Sequence, residues 1–190
     1  MKKILVFLGY SNAKSYTGAL ADAYEKGARE AGFLVERVNI GDLKFDPVLH
    51  KGYSIIQELE PDLKDTQEKI KNSDHLVLIY PNWWGTMPAV LKGFFDRVWL
   101  PGFAFRFYKN GMGWEKLLKG KTAHVILTMD ARPFLSWFLF GDNRNEICDA
   151  ILGFSGFSVG CTKVGPLKNS SEKMRAYWLR KMYEWGRKGK

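Results

Sequence analysis

The 190-residue sequence predicts an α/β domain in which five parallel strands form one sheet with helices on both faces. Three observations predict it. Five short apolar runs recur along the chain, and helix-like stretches separate them. Most of these runs are continuously apolar, as strands covered on both faces are. The length suits one domain over residues 1–190, with no linker, repeat or low-complexity segment to divide it.

Each element follows in order. Ile4–Leu8 is a buried strand that stops at Gly9. The polar stretch GYSNAKSYT leads into a helix in which Ala19, Leu20, Ala23, Tyr24, Gly27 and Ala31 keep a spacing of three to four, with Gly32 at its end. Phe33 to Ile40 alternates as a second strand, and residues 41–62 are irregular around the Asp46-Pro47 turn signal. Asp62 to Ser73 reads as a polar amphipathic helix and His75–Tyr80 as a third strand. Pro88 to Trp99 is helical, since proline is tolerated in a first turn. Residues 100–120 are loop-rich. A fourth strand (Ala123–Thr128), a helix (Asn145–Phe154), a fifth strand (Phe157–Val164) and a closing helix (Glu172–Gly186) complete the chain.

Right-handed crossovers leave few topologies for such a pattern. Five strands favour the flavodoxin-like order 2-1-3-4-5 over the six-stranded dinucleotide-binding sheet. Ligands of such sheets bind beyond the carboxyl ends of the strands, where the strand order reverses. That rule selects two loops, residues 9–17 and 81–87.

Composition narrows the function. The net charge is +9, and Lys163 to Lys190 holds nine Lys/Arg against two Glu. Such a tail suits a solvated helix face, and no aromatic-basic RNA signature accompanies it, so no nucleic-acid partner is expected. Two cysteines without a C-x-x-C motif suit a reduced cytoplasm. The apolar run after MKK is too short for a signal peptide, and no stretch approaches the roughly 18 apolar residues of a membrane span.

Several chemistries lack their motifs. G-x-G-x-x-G is missing after the first strand, and GKT at 120–122 lacks the earlier glycine of a P-loop. His50, His75 and His124 have no ligand spacing, so no metal is expected. No G-x-S-x-G elbow exists. Lys92, Asp96 and Arg97 read as structural ion pairs. What remains is a loop with Ser11, Asn12, Lys14, Ser15 and Thr17 at a helix start, suited to an anion. Beside it lies the aromatic loop Pro81-Asn82-Trp83-Trp84-Gly85. With no acid, base or nucleophile in view, a cofactor is expected to carry the chemistry. A flavin meets the pattern: phosphate on the first loop, a flat ring system on the second.

At these residues the chain resembles the NAD(P)H:quinone oxidoreductases of the DT-diaphorase type. The resemblance rests on Pro81-Asn-Trp-Trp84, Pro88-Ala-Val-Leu-Lys-Gly93, Asp96-Arg-Val98, Gly102-Phe-Ala-Phe105 and Ile151-Leu-Gly-Phe-Ser-Gly-Phe157. Tyr10-Ser11 with Ser15-Tyr16-Thr17 is similar to the family's first loop. The resemblance implies a flavodoxin-like fold, FAD with FMN as the alternative, and a homodimer with sites at the subunit interface. It also implies ping-pong chemistry: hydride from NAD(P)H to flavin N5, then to a quinone or similar small acceptor. By position, Ser15, Tyr16 and Thr17 would hold the phosphate, and residues 81–85 would line the isoalloxazine. Phe103 and Phe105 would shape the substrate pocket.

The chain departs from the family at several points. Thr128-Met129-Asp130-Ala131 stands where such enzymes carry T-T-G-G, and is expected to approach the flavin through its backbone. Tyr10 replaces a common His, Ser155 replaces a Cys, and RPFLSWFLFGDN offers no counterpart to the family's Tyr/His proton relay. Two rival readings stay open: a flavodoxin-like electron carrier, against which the basic charge speaks, and a regulatory subunit of a membrane transporter.

Overall fold

The computed structural model describes residues 1–109, 111–142 and 144–190. Five strands form one parallel sheet: β1 (Lys3–Leu8), β2 (Leu34–Asn39), β3 (His75–Pro81), β6 (Thr122–Thr128) and β7 (Ser158–Val164). Their order is β2-β1-β3-β6-β7, the 2-1-3-4-5 arrangement expected. The numbering runs higher because residues 100–120 hold a small antiparallel hairpin, β4 (Phe105–Phe107) and β5 (Trp114–Lys116).

Alternation along β1 divides the core. Ile4 and Val6 point to one face of the sheet, where α1 (Tyr16–Glu30) and α5 (Glu172–Lys188) cover Val77, Ile79 and Ile126. Leu5 and Phe7 point to the other face, under α2 (Pro61–Asn72), α3 (Ala89–Val98) and a π-helical segment, Asn145–Gly153. The helices α1 and α5 meet through small residues. A Cβ on Gly27 would lie 2.1 Å from the Tyr183 carbonyl oxygen, and one on Gly186 would lie 2.1 Å from that of Tyr24. Only glycine lets the two backbones approach so closely.

One further helix, α4 (Pro133–Phe140), occupies the stretch after β6. Its Phe134, Leu135, Trp137, Phe138 and Leu139 are all exposed, whereas Ser136 is buried. No helix among the described residues is long and apolar enough to cross a membrane.

Residues 43–60 drape over α3, and Arg97 fixes them there. Its side chain is 1% exposed. It donates to the carbonyls of Asp46 and Glu58 and pairs with the Glu60 carboxylate at 2.9 Å. Lys92 pairs separately with Asp96 at 2.6 Å on the helix surface. Of the ion pairs expected on this helix, one is a surface pair and the other is a buried staple.

Candidate functional site

The carboxyl end of β1 leads into the first selected loop. The Asn12 carbonyl accepts the Ser15 N–H at 3.2 Å, and its side chain accepts from the Lys14 N–H. This turn delivers Ser15 to the helix cap, where its Oγ accepts the Gly18 N–H at 3.1 Å. The N–H groups of Tyr16 and Thr17 belong to the first turn, which has no intrahelical acceptors for them. With the positive end of the helix dipole they form an anion seat. The Ser15 O–H remains as a donor. Ser11 and Lys14 are exposed at the same loop.

Two side chains of this loop are spent inside the protein. The Tyr16 hydroxyl donates to the Arg175 carbonyl at 2.8 Å, and the Arg175 guanidinium lies 5.2 Å from the ring centre. Burial pushes the Tyr16 hydroxyl up, against the pull of Arg175. The Thr17 Oγ1 is buried 2.9 Å from that of Thr128. Tyr16 and Thr17 therefore offer an anion their peptide groups, not their hydroxyls.

The second loop begins at Pro81, which ends β3 opposite Thr128. The Asn82 N–H donates to the Thr128 carbonyl at 2.7 Å. Trp83 and Thr86 exchange two backbone hydrogen bonds, 2.8 and 3.0 Å long. Between them Trp84 and Gly85 take φ of 53° and 83°, the paired positive angles of a primed turn. Positive φ is strained for tryptophan. The turn holds the Trp84 indole wholly in solvent, with Trp83 half-exposed beneath it. The Tyr10 ring meets Trp83 edge-on at 5.4 Å, so the two loops touch at the carboxyl end of the sheet.

The peptides of this loop differ from expectation. The N–H groups of Asn82 and Trp83 are consumed within the protein. A different polar atom stands ready, because the Asn82 Oδ1 is buried without a partner. Buried acceptors are normally satisfied, so this one marks a place for a donor.

Thr128 and Met129 are buried at the end of β6, while Asp130 and Ala131 are exposed. The Met129 N–H bonds the Val164 carbonyl, and its own carbonyl accepts from Leu167. Both backbone polar groups of Met129 are thus engaged within the protein. Beneath the aromatic loop, burial pushes the Tyr80 hydroxyl up, so it stays neutral.

The two phenylalanines given to the substrate pocket part company. Phe103 packs edge-on against Trp99 at 5.7 Å. Phe105 sits between Phe107 and Phe154, 5.1 Å from each, and walls a cavity of about 690 Å³. Among the described residues, no group of three or more His, Cys, Asp or Glu could hold a metal ion.

A family profile described as the flavodoxin-like fold matches residues 1–164. The chain belongs to that family. Among curated relatives of this flavodoxin-like protein, an uncharacterized NAD(P)H oxidoreductase of Haemophilus influenzae is 30% identical over 135 residues. That match spans 68% of this chain and 64% of the relative's own length. The human ribosyldihydronicotinamide dehydrogenase [quinone] is 27% identical, over 83% of this chain and 78% of its own. Among solved structures, Smu.1420 from Streptococcus mutans UA159 superposes with a TM-score of 0.83 at 27% identity, covering 98% of this chain and 99% of that one.

Sequence reasoning missed three contributors to this flavodoxin-like site. Arg175 reaches Tyr16 from 159 residues away. Glu146 accepts the Thr86 hydroxyl from the π-helical segment. The orphaned Asn82 Oδ1 sits in a residue already singled out, but its lack of a partner emerges only from the fold. No local signal marks the first two.

Proposed function

We propose that this protein is a flavin-dependent NAD(P)H oxidoreductase that reduces quinones or similar small acceptors. The observation that carries the reading is the edge-on contact of Tyr10 with Trp83, which brings the helix-capping first loop against the aromatic loop that holds the unpartnered Asn82 Oδ1. The relatives named as NAD(P)H and quinone oxidoreductases support the same chemistry. A bound flavin supplies the chemistry by taking two electrons from NAD(P)H and passing them to the acceptor.

The chain's own residues do the rest. Ser15, Tyr16 and Thr17 seat the phosphate through the Ser15 hydroxyl and the first-turn peptides. Trp83 and Trp84 supply flat apolar surface for a ring, and Asn82 Oδ1 receives a donor on its edge. Asp130, exposed just after β6, offers its backbone to the ring. Among the described residues we assign no side chain as acid or base. The cofactor we assign is FAD, with FMN the alternative, on the family resemblance.

The working unit is a homodimer. Five large apolar side chains on α4 face solvent, which a stable lone chain rarely tolerates. A second copy covers this helix in our reading. Cys148 and Cys161 are both free, which suits a reducing cytoplasm.

Purified protein should be yellow, bleach with NAD(P)H and recover colour with a quinone. Chromatography of the released pigment separates FAD from FMN, and sedimentation gives the oligomeric state. A colourless protein that takes up neither flavin on reconstitution would end this reading.

A further inference from the structure

Two thiols face each other between β7 and the π-helical segment Asn145–Gly153. Cys161 lies on β7 in register with Val125 of β6, whose side chain points to the α3 face of the sheet. The π-helical segment packs on that face and carries Cys148, which is buried there. Cys161 joins the same core and is partly exposed. Both thiols are free, and the Cys148 S–H donates to the Cys161 sulfur. Both also lie within electrostatic reach of the Tyr80 hydroxyl, on the residue before Pro81.

The two sulfurs are unlike. The hydrogen bond from Cys148 lowers the Cys161 thiol, and Lys163 and Arg144 add to this against burial. The same hydrogen bond, with burial, pushes the Cys148 thiol up. Asp142 pairs with Lys163 at 2.8 Å, and Asp149 lies 3.7 Å from Arg144. The Arg144 carbonyl accepts the Cys148 N–H at 2.8 Å, and its Nε is buried without a partner among the described residues. A partly exposed, acidified thiol with cations in reach and a second thiol in contact is the pattern of an oxidation-sensitive cysteine with its resolving partner.

The pair is also tied to the aromatic loop. Glu146 stands two residues before Cys148 and accepts the Thr86 hydroxyl at the base of the Trp84 turn. A disulfide is shorter than the thiol contact it replaces, so closing it draws the segment and β7 together. The strand is held along its length by β6, from Thr122 opposite Ser158 to Thr128 opposite Val164. The π-helical segment has no such ladder, so it moves and takes Glu146 with it.

We propose that Cys148 and Cys161 form an oxidisable dithiol that closes to a disulfide under a peroxide and thereby loosens the Trp84 turn. The Cys161 thiolate attacks one peroxide oxygen and the O–O bond breaks. The departing hydroxide takes up the proton lost by Cys161 and leaves as water, with Cys161 now a sulfenic acid. The Cys148 sulfur then attacks the Cys161 sulfur and the S–O bond breaks. Hydroxide leaves with the Cys148 proton as a second water. The two thiols lose one electron pair and the peroxide gains it.

The test adds a small excess of hydrogen peroxide to the purified protein and follows the products by mass spectrometry of alkylated digests. The expected product is a peptide pair joined through Cys148 and Cys161 of one chain, returned to two free thiols by dithiothreitol. Cys148→Ser should hold Cys161 as a sulfenic acid, labelled by dimedone about tenfold more than Cys148 is labelled in Cys161→Ser. Amide hydrogen exchange over residues 82–87 should rise roughly threefold in the oxidised protein, with no rise in peroxide-treated Cys161→Ser. The parent protein decides the cross-link even where a buried serine unsettles the fold.

Thiols that stay free in the folded protein, while the denatured chain oxidises under the same dose, overturn the proposal. So does a disulfide that joins two copies, or oxidation that runs to sulfinic acid without a cross-link. A Cys148–Cys161 disulfide that leaves exchange at residues 82–87 unchanged overturns the link to the Trp84 turn. None of these readouts needs a flavin, so they stand or fall apart from the quinone-reductase reading.

Discussion

Thr17 and Thr128 hold their hydroxyl oxygens 2.9 Å apart in the buried interior, 111 residues apart in sequence. The contact ties the start of α1 to the end of β6. Two of the loops at the carboxyl end of the sheet are thus locked at one point. Replacing either threonine by valine strands the other hydroxyl and should cost about 1–3 kcal/mol. The double valine variant should cost less than the sum, since no polar group is then left unpaired. Urea unfolding of the four proteins measures the coupling; strict additivity would mean that the contact carries nothing.

Trp84 pairs full exposure with a backbone angle that glycine prefers. Trp84→Gly should therefore leave stability unchanged or raise it by about 1 kcal/mol, by releasing strain. The same change removes the displayed indole and should weaken flavin retention at least tenfold. Thermal melts of the apo protein and flavin titration separate the two effects. Parallel loss of both would make the indole a folding element.

Arg97 lies under the draped loop with its charge met by Glu60. Arg97→Met leaves two carbonyls without this donor and the Glu60 carboxylate with the Asp46 N–H but no countercharge. The expected cost is about 3–5 kcal/mol, as for other broken buried pairs. Limited proteolysis should then cut within residues 43–60 before the rest of the chain. A cleavage pattern like that of the parent protein would show that the loop is held by its apolar contacts alone.

His75 is buried, His124 is partly buried, and both titrate low. Burial, with help from Lys2 and His124, pushes His75 down to about 4. Burial likewise lowers His124. Both stay neutral in the folded chain while the unfolded chain binds protons near pH 6.5. Their contribution is thus whole above pH 6.5 and is lost as the pH falls toward 4. For His75 alone this amounts to about 3 kcal/mol. Denaturant titrations at pH 7 and pH 4.5 should show the decline, and His75→Leu should flatten it.

The sheet was legible because its strands announce themselves. Runs such as Leu76–Ile79 are continuously apolar, and that pattern has one physical use in an alternating chain. The two site loops followed from topology alone. The hairpin was not legible, since its strands are three residues each and FRF and WEK are too short for a period to register. Helix α4 was hidden for the opposite reason: PFLSWFLF is apolar on nearly every side, so no face stands out. Arg97 read as an ion-pair member on its own helix, whereas its partner Glu60 lies across the draped loop, which has no pattern of its own. The cavity draws its walls from residues 49–57 and 97–107, which only the folded chain assembles.

Tyr16 hands its hydroxyl to the carbonyl of Arg175 and its ring to that residue's guanidinium. The closing helix is thereby a lever resting on the first loop. Force, labels or bulky fusions applied to that helix will be felt at the start of α1, the proposed seat of the cofactor's anionic tail.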